Sequence, residues 1–600
     1  MVFTPKRSVE ECNRIITAPG ALHELEHRVI NGSVQRVYKN LWPSLRVFWL
    51  EVCKLHQDKM YIVYENERFT FQQMLEKSVK AAAMLRKSYN VQKGDRVGIC
   101  SRNYIEYLVV FWGAVRRRRR LTIPLDLIGA VPVMVNAWLP VDTLEFCIIY
   151  TDCKVLLLDS ERADVLEKSI QRIVKQNSMT GVLVFRTHEG RGSWQGMSSW
   201  TEMLRRYEEV NTSAILKEDP GILPEDNAAI YFTSGTTGRP KGVLSTQRQY
   251  LTNAFNALIG TMRNTLRKGE SLDQPIPDEP QKGFLISVPF FHVTGTTSQA
   301  LLATLRGIKI VLIRKWSTQE GERRKLIRKE NIAIAGGVPA MVNELVDTGG
   351  FALDSLNFGG APSSILLGEK LKSSLPNTIL QFHRSQGYGM TETNSIAVSI
   401  TGVDCEIRPG STGLPTPVND LLIMDPETLK EVPVGSVGEV WMKGVNVMQG
   451  YWKDEEATTR AMTTDGWLRS GDLGYVDEEG FLFIKDRLKD IIDSVSVENA
   501  VYAHPAIQEA GAIGVPDERL GELVAVVASL KPNSGTVSEE EVISVTRKSL
   551  PKFAVPVMVI LKAEPLEHTP SGKIIKTVLR QLAKETWKQR EGHKANKAKL

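Results

Sequence analysis

Short apolar runs alternate with helical patterns between about residue 46 and residue 340, and this alternation limits the fold more than any other feature of the chain. The runs 94–100 (GDRVGIC), 154–159 (KVLLLD) and 181–185 (GVLVF) have the length and composition of buried strands. The segment 72–89 places its apolar residues at helical spacing. Because strands that alternate with helices pack as largely parallel sheets covered by helices, the sequence predicts an α/β architecture.

The pattern changes twice toward the C-terminus. From about Pro409, shorter strands and Gly/Asp turns follow one another, as in 438–444 (GEVWMKG), which predicts a β-rich portion with hairpins. From Leu488 onward a smaller unit of mixed helices and strands begins. We therefore expect a large N-terminal domain of several subdomains over residues 1–487. A small α+β C-terminal domain with a basic tail would follow over residues 488–600.

A loop of small residues between Tyr231 and Val243 (YFTSGTTGRPKGV) carries the strongest functional signal. An apolar strand leads into a stretch whose backbone N–H groups and hydroxyls can surround phosphate oxygens. Its glycines permit close approach of the backbone, and Lys241 adds a positive charge. The Gly-x-x-x-x-Gly-Lys spacing of a Walker A loop is absent. The alternative is a Thr/Gly-rich hairpin tip, which the length of the loop and its terminal lysine disfavour.

This loop resembles the signature loop of the adenylate-forming superfamily, which includes acyl-CoA synthetases, coumarate-CoA ligases and firefly luciferase. Four further segments resemble motifs of that family and occur in the family's order: 386–393 (QGYGMTET), 467–472 (WLRSGD), 486–490 (DRLKD) and 570–574 (PSGKI). The resemblance covers most of the chain. A single motif residue such as Asp472 could equally cap a turn. The joint occurrence of the motifs favours the functional interpretation.

The resemblance implies binding sites for ATP and Mg²⁺. The phosphates would lie against the loop residues Thr233, Ser234, Gly235, Thr236, Thr237, Gly238 and Lys241. The adenine would be framed by Gly360, Ala361, Gln386, Gly387 and Tyr388, since a tyrosine ring suits stacking on a purine. Thr391 would bond the α-phosphate, and Glu392 would hold Mg²⁺, which prefers oxygen ligands. Asp472 and Arg487 would bind the ribose hydroxyls.

The resemblance also implies an acyl site and a catalytic lysine. Lys573 would bridge the carboxylate and the α-phosphate, where a fixed cation stabilises developing charge. His292 would line the acyl tunnel and gate acyl entry, although a lone histidine among apolar residues is more often a packed core residue. Three residues would lie along the acyl pocket, whose glycines would leave room for an aliphatic chain of medium or long length: Gly336, Gly337 and Val338.

The implied reaction has two steps. A carboxylate attacks the α-phosphate of Mg-ATP and gives acyl-AMP and pyrophosphate. The small mobile C-terminal domain then rotates about Lys489, and the CoA thiol attacks the acyl carbonyl. Lys315 would contact CoA; alternatively it is a solvated lysine at a strand end. The chain would therefore be an acid–thiol ligase, an acyl-CoA synthetase that forms AMP.

Two segments suggest a more specific relationship. Residues 136–140 (NAWLP) and 494–505 (SVSVENAVYAHP) resemble fungal acyl-CoA synthetases, some of which serve peroxisomal lipid or secondary-metabolite pathways. The expected substrate is a fatty or polyketide-like acid, in fatty acid metabolism or in the biosynthesis of a secondary metabolite such as a toxin.

Two other segments depart from the family pattern. About six or seven residues of a glycine-rich stretch that would line the thiol tunnel are missing after Asp490, which puts the second step in doubt. An apparent insertion carries five consecutive arginines, Arg116–Arg120. The arginines would contact an anionic membrane or nucleic acid, or form a solvated loop, or mark a mistaken exon boundary, which we favour. The alternative functions are an acyl-AMP former that loads a separate carrier protein, an inactive nucleotide-binding relic, and a luciferase-like enzyme.

The remaining features concern location and partners. The C-terminal tripeptide Ala598, Lys599 and Leu600 resembles the peroxisomal address Ser-Lys-Leu, which predicts a peroxisomal import receptor as partner, with the cytoplasm as the alternative location. The net charge of +6 is small for 600 residues and does not indicate nucleic acid. The apolar runs are shorter than the roughly 18 residues of a membrane span. The six scattered cysteines indicate reduced, mostly buried thiols.

Overall fold

The computed structural model describes most of the chain. The described residues are 4–113, 129–209, 221–233, 239–272, 280–313, 320–337, 341–342, 345, 353–359, 383–487, 494–517, 521–532, 534–550, 554–569 and 573–597.

The strands of the described residues are numbered in chain order. They are β1 (Leu25–Ile30), β2 (Ser33–Tyr38), β3 (Met60–Tyr64), β4 (Glu67–Thr70), β5 (Arg96–Cys100), β6 (Val131–Met134), β7 (Cys153–Leu158), β8 (Gly181–Val184), β9 (Ser198–Ser199), β10 (Asn227–Phe232), β11 (Gly242–Thr246), β12 (Gly283–Ile286), β13 (Lys309–Leu312), β14 (Ile332–Gly337), β15 (Ser355–Gly359), β16 (His383–Tyr388), β17 (Val398–Thr401), β18 (Leu414–Pro415), β19 (Asn419–Met424), β20 (Gly438–Gly444), β21 (Gly450–Tyr451), β22 (Leu468–Val476), β23 (Leu482–Arg487), β24 (Ile507–Asp517), β25 (Gly521–Leu530) and β26 (Met558–Lys562).

The helices of the same residues are numbered likewise. They are α1 (Val9–Ile16), α2 (Leu45–His56), α3 (Phe71–Tyr89), α4 (Ile105–Gly113), α5 (Val141–Tyr150), α6 (Ser160–Leu166), α7 (Ile170–Asn177), α8 (Trp200–Arg205), α9 (Gln247–Arg267), α10 (Leu301–Arg306), α11 (Glu320–Lys329), α12 (Val403–Ile407), α13 (Glu455–Ala461), α14 (Ser494–Tyr502), α15 (Glu539–Thr546) and α16 (Lys576–Lys597). A π-helix (Thr294–Ala300) and two 3₁₀ turns (Thr187–Glu189 and Thr391–Thr393) complete the set.

Two large sheets form most of the N-terminal part. Within the described residues, one has eight strands in the order β21-β11-β10-β6-β5-β7-β8-β9, and the other has nine in the order β18-β17-β16-β15-β14-β12-β13-β3-β4. Inner neighbours such as β5 and β7, or β14 and β15, run parallel. Antiparallel pairs such as β10 with β11 and β3 with β4 lie toward the edges. Parallel strands need crossover connections, which the helices provide. The predicted α/β class is therefore confirmed.

One hydrophobic core joins the two large sheets. It contains Ile62 of the nine-stranded sheet and Ile99 of the eight-stranded sheet, both fully buried. Trp49 of α2 and Trp112 of α4 stack in this core with ring centroids 4.6 Å apart. The Trp112 indole N–H donates to the Tyr61 hydroxyl at 2.9 Å, so the polar atom of the buried ring is satisfied. The two sheets therefore form one packed unit.

A buried arginine also ties the two sheets together. Arg186, which follows β8, forms ion pairs with Glu67 of β4 at 2.7 Å, Glu106 of α4 at 3.1 Å and Glu189 at 3.2 Å. Its guanidinium lies 4.8 Å from the centre of the Tyr64 ring, within range of a cation–π interaction. Burial raises the pKa of Glu106, and the charge of Arg186 opposes that rise. A single cation thus neutralises carboxylates from both halves of the core.

The sequence predicted several of these elements closely, and the N-terminal hairpin is among those that it did not predict. The expected strand 181–185 is β8, and the expected helix 72–89 is α3, which begins with a capping box between Thr70 and Gln73. The expected strand 438–444 is β20. The β1–β2 hairpin was not predicted. Its turn is Asn31-Gly32 with φ of 49° and 79°, and an Asn-Gly pair between short strands is the sequence signal that would have found it.

The C-terminal part has the mixed α+β composition that the sequence predicts. Strands β24 and β25 pair antiparallel, β26 joins β25 in parallel, and α14 and α16 pack on β24. Strands β19, β20, β22 and β23 form a separate antiparallel sheet, which is the predicted β-rich portion. The predicted β-rich portion and the predicted α+β C-terminal part are therefore both confirmed. The domain division at residue 487 stays a prediction.

Two further properties concern the whole described chain. All six cysteines are free and buried, and burial raises the pKa of five of them: Cys12, Cys53, Cys100, Cys147 and Cys153. Among the helices that the structure describes, none combines the length and the apolar character needed to cross a membrane.

Candidate active site

The base of the phosphate-loop segment is a hairpin between β10 and β11. Phe232 pairs with Gly242 in antiparallel register. The Thr233 N–H donates to the Lys241 carbonyl at 3.0 Å, and the Lys241 N–H donates to the Thr233 hydroxyl at 3.4 Å. The hairpin therefore fixes the two ends of the loop side by side. The predicted phosphate ligands Ser234, Gly235, Thr236, Thr237 and Gly238 lie outside the described residues.

Tyr451 connects this loop to the predicted metal ligand. Strand β21 lies beside β11, with Val243 opposite Tyr451. The Lys241 ammonium lies 4.8 Å from the centre of the Tyr451 ring, and the Tyr451 hydroxyl donates to Glu392 Oε1 at 2.7 Å. Burial and the charge of Glu392 raise the pKa of Tyr451, so its hydroxyl stays protonated and donates. Sequence reasoning missed this residue, because a Gly-Tyr pair by itself indicates no chemistry.

Glu392 lies in the 3₁₀ turn Thr391–Thr393, which follows β16. The residue is buried, and its carbonyl accepts from the Met448 N–H at 2.7 Å. Thr391 is partly buried beside it. Within the part of the chain that the structure describes, no group of three or more His, Cys, Asp or Glu could hold a metal ion. A single carboxylate nevertheless suits Mg²⁺, which keeps several waters and is usually held by one or two carboxylates together with substrate phosphates.

The candidate nucleotide residues lie on strands of two different sheets. Gln386, Gly387 and Tyr388 are in β16, which pairs with β15 in parallel register. The Tyr388 hydroxyl donates to Asp472 Oδ2 at 2.8 Å, so the predicted adenine and ribose positions are linked directly. Asp472 is buried and pairs with Arg487 across β22 and β23. The Arg487 side chain and two predicted adenine contacts lie outside the described part of the chain: Gly360 and Ala361.

His292 belongs to the middle of the chain and Lys573 to its C-terminal part, and the charge of Lys573 acts on His292. His292 precedes the π-helix, and its carbonyl accepts from the Gly295 N–H at 3.0 Å. Burial first, and then the positive charge of Lys573, lower the pKa of His292 to about 3. The imidazole is therefore neutral at physiological pH, and among the described residues its Nε2 has no hydrogen-bond partner. The predicted catalytic lysine thus lies within electrostatic range of the predicted acyl gate.

The predicted acyl-pocket glycines end strand β14. A Cβ on Gly336 would lie 2.0 Å from the Asn357 carbonyl oxygen, so the close approach of β15 itself requires glycine there. A Cβ on Gly337 would lie 3.0 Å from Met341 Sδ and 3.2 Å from Ser287 Oγ. The space beside both glycines is therefore partly filled by protein atoms. Their contact with an acyl chain stays a prediction.

The remaining predictions fall outside the described residues. These are the acyl-pocket residue Val338, the CoA contact Lys315, the hinge Lys489, the arginine run Arg116–Arg120 and the tripeptide Ala598, Lys599 and Leu600.

The fold is that of the adenylate-forming enzymes, with a large domain of mixed sheets and a small C-terminal domain. It is similar to ATP-bound MatB from Rhodopseudomonas palustris, at a TM-score of 0.73 and 24% identity over 90% of this chain and 99% of that one. It is also similar to the o-succinylbenzoate CoA synthetase MenE from Bacillus subtilis in complex with an acyl-adenylate, at a TM-score of 0.70 and 24% identity over 89% and 97% of the two chains.

The chain belongs to the AMP-binding enzyme family. The family pattern "AMP-binding enzyme" matches residues 49–452, and "AMP-binding enzyme C-terminal domain" matches residues 496–573. A long-chain-fatty-acid–CoA ligase of Mycobacterium tuberculosis is 29% identical over 86% of this chain and 93% of its own length. The 4-coumarate–CoA ligase 3 of Oryza sativa subsp. japonica is 28% identical over 86% and 87%. The predictions of an adenylate-forming family member and of an AMP-forming acid–thiol ligase are confirmed.

Proposed function

We propose that this protein is an acyl-CoA synthetase, which activates a carboxylic acid as acyl-AMP and transfers the acyl group to CoA. The observation that carries the proposal is the linked set of Lys241, Tyr451 and Glu392, in which the Lys241 ammonium lies 4.8 Å from the centre of the Tyr451 ring and the Tyr451 hydroxyl donates to Glu392 at 2.7 Å. Lys573 also lies within electrostatic range of the buried His292. Curated relatives named as CoA ligases support the thiol acceptor.

Each side chain would have a defined task in the first step. Lys241 would neutralise charge on the β- and γ-phosphates of ATP. Glu392 would hold Mg²⁺, which neutralises phosphate charge and orients the leaving pyrophosphate. Lys573 would lie between the acid and the α-phosphate and stabilise the charge that develops as the carboxylate oxygen attacks phosphorus. Because His292 is neutral, it adds no charge beside Lys573. The carboxylate of the acid substrate would then pair with Lys573 alone.

The nucleoside would be held by the linked pair of Tyr388 and Asp472. The tyrosine ring presents a face for the adenine, and its hydroxyl fixes one carboxylate oxygen of Asp472 at 2.8 Å. The carboxylate is thereby oriented for the ribose hydroxyls before ATP binds. Such preorganisation lowers the entropic cost of placing the α-phosphate.

In the second step the small domain would rotate and withdraw Lys573, so that the CoA thiol reaches the acyl carbonyl. We further propose a medium- or long-chain fatty or polyketide-like acid as substrate, and import into peroxisomes through residues 598–600. Secondary-metabolite biosynthesis is the proposed pathway class. These finer assignments rest on the sequence resemblance.

The first experiment is carboxylate-dependent ATP–pyrophosphate exchange over a panel of aliphatic and aromatic acids, followed by addition of CoA. Exchange followed by thioester formation is the expected result. Exchange without thioester would favour a protein that loads a separate carrier. Absence of exchange with every acid, in folded protein that binds ATP, would favour an inactive nucleotide-binding relic and refute the proposal. For location, a fluorescent fusion with an intact C-terminus that stays in the cytosol would refute import.

A further inference from the structure

A buried carboxylate in the small domain gathers groups from two neighbouring segments. Glu509 of β24 is about nine-tenths buried. Its Oε2 accepts from the Leu566 N–H at 2.9 Å and from the Ser529 hydroxyl at 3.1 Å. Its Oε1 lies 2.9 Å from His568 Nε2. Burial opposes ionisation of this carboxyl, but the contacts with His568, Leu566 and Ser529 lower its pKa overall. Glu509 is therefore held as an anion.

Two partners of this anion, Leu566 and His568, lie at the start of the segment that carries Lys573. Backbone pairing continues from them to the lysine. The Thr569 N–H donates to the Lys573 carbonyl at 2.6 Å, and the Lys573 N–H donates to the Thr569 hydroxyl at 3.1 Å. His568 and Ile574 form an isolated β-bridge. The backbone of Lys573 is thus fixed through Thr569 to the residues that Glu509 holds.

The side-chain contact is separable from the rest of the hairpin. Leu566 binds through its backbone N–H, and Thr569 through its backbone N–H and its own hydroxyl, so both hold the chain whatever the side chain at residue 568. The contact between Glu509 and His568 adds a restraint on the strand immediately before the lysine. A displacement of about 1 Å in a positioning residue can reduce a rate about 100-fold, because the reacting groups lose their alignment.

We propose that Glu509 and His568 are positioning residues for Lys573, which hold its backbone so that the ammonium reaches the acid and the α-phosphate. This inference rests on the proposed function, since it assigns the pair to the first step. Lys573 withdraws in the second step, and the pair then has no task at the reacting atoms. Loss of the pair would therefore slow adenylation and spare thioester formation.

The test compares the two half-reactions in Glu509→Gln and His568→Gln. We expect the kcat of ATP–pyrophosphate exchange to fall about 10- to 100-fold, with the KM for ATP changed less than about threefold. Thioester formation from chemically prepared acyl-AMP and CoA should stay within about twofold of the parent protein. His568→Arg keeps a nitrogen donor toward the carboxylate and should recover most of the exchange rate.

Glu539→Gln is the matched control. Glu539 also lies in the small domain and pairs with Arg590 at 2.8 and 2.9 Å, while it accepts from the Val559 N–H at 2.9 Å. Its loss should reduce stability without separating the half-reactions. An equal fall in both half-reactions, or exchange unchanged in Glu509→Gln, would overturn the proposal.

A second measurement is independent of activity. The acetylation rate of Lys573 by acetic anhydride, read by mass spectrometry, should rise in Glu509→Gln and His568→Gln and stay constant in Glu539→Gln, because Lys573 is partly buried in the parent protein. Unchanged labelling would overturn the inference whatever the enzyme does. Absence of exchange in the parent protein with altered labelling would instead refute the proposed function and leave the positioning of Lys573 intact.

Discussion

Tyr451→Phe removes a single hydroxyl and is expected to weaken Mg²⁺ binding, so that the enzyme needs a measurably higher Mg²⁺ concentration. The ring stays in place 4.8 Å from the Lys241 ammonium, and only the hydrogen bond to Glu392 Oε1 is lost. A hydrogen bond to a charged group contributes about 1.5–3 kcal/mol. About 1.4 kcal/mol corresponds to a tenfold change in an equilibrium constant. Loss of this orienting contact should therefore weaken Mg²⁺ binding at Glu392 by about 10- to 100-fold.

This magnitude agrees with the general effect of removing the hydrogen-bond partner of a metal ligand, which lowers metal affinity about 10- to 100-fold. We therefore expect the Mg²⁺ concentration for half-maximal ATP–pyrophosphate exchange to rise by that factor. At saturating Mg²⁺ the rate should approach that of the parent protein, because Lys241 and the ring are unchanged. The free energy of AMP binding without metal, measured by calorimetry, should also stay the same.

Tyr475→Phe is the matched control for this experiment. Tyr475 lies in β22 and stacks on Phe483 at 4.9 Å, away from Glu392, so loss of its hydroxyl should leave the Mg²⁺ dependence unchanged. A Mg²⁺ requirement in Tyr451→Phe equal to that of the parent, or lower, would refute the reasoning. Either result would mean that the hydroxyl does not orient Glu392 for a metal.

Three other perturbations have expected outcomes. Gly336→Ala should lower the free energy of unfolding by about 1–3 kcal/mol or more, because its Cβ would meet the Asn357 carbonyl at 2.0 Å. Gly337→Ala should lower it less, since its nearest contact is a flexible methionine. Urea denaturation of the two variants measures the difference. The pKa of His292 is about 3 in the fold and 6.5 ordinarily, so the unfolded chain binds more protons than the folded one once the pH falls below about 6.5. The free energy of unfolding should therefore decrease toward pH 3. His292→Asn should flatten that decrease, as measured by denaturation at a series of pH values. Arg186→Met removes the buried cation of partly exposed carboxylates and should destabilise the fold by less than the roughly 3–5 kcal/mol of a fully buried pair. An unchanged thermal midpoint would contradict this.

The sequence predicted the α/β class because the spacing of apolar residues and the composition of short segments identify each helix and strand. The run 181–185 and the helix 72–89 carry their own signals, an apolar strand composition and a Thr70–Gln73 capping box. The motif residues Tyr388, Asp472 and Glu392 were found because the family pattern names them. Their mutual contacts were not predictable, since Tyr388 and Asp472 are 84 residues apart and meet where the nine-stranded and four-stranded sheets share a hydrophobic core.

Residues that act through others escaped the sequence analysis altogether. Tyr451 belongs to none of the sequence motifs described above. Its importance follows from the register of β21 beside β11. Glu509 lies in a strand of mostly small and apolar residues, where a single glutamate reads as a strand-edge charge. The role expected for Gly336 also depended on tertiary structure, because only the position of the Asn357 carbonyl reveals why a side chain is excluded.

The six buried cysteines have a consequence for how this protein can be handled. A thiolate is the species that reacts with alkylating reagents and disulfides. Burial disfavours the thiolate by raising the pKa of five of these thiols, those of Cys12, Cys53, Cys100, Cys147 and Cys153. The native protein should therefore form mixed disulfides only slowly with the oxidised, disulfide form of a thiol cosubstrate. For the same reason, each cysteine becomes reactive only when its surroundings open. The positions in α2, β5, α5 and β7 report together on one core, and those in α1 and α12 report on other parts of the fold. Timed alkylation read by mass spectrometry would give a map of local opening from the unmodified sequence.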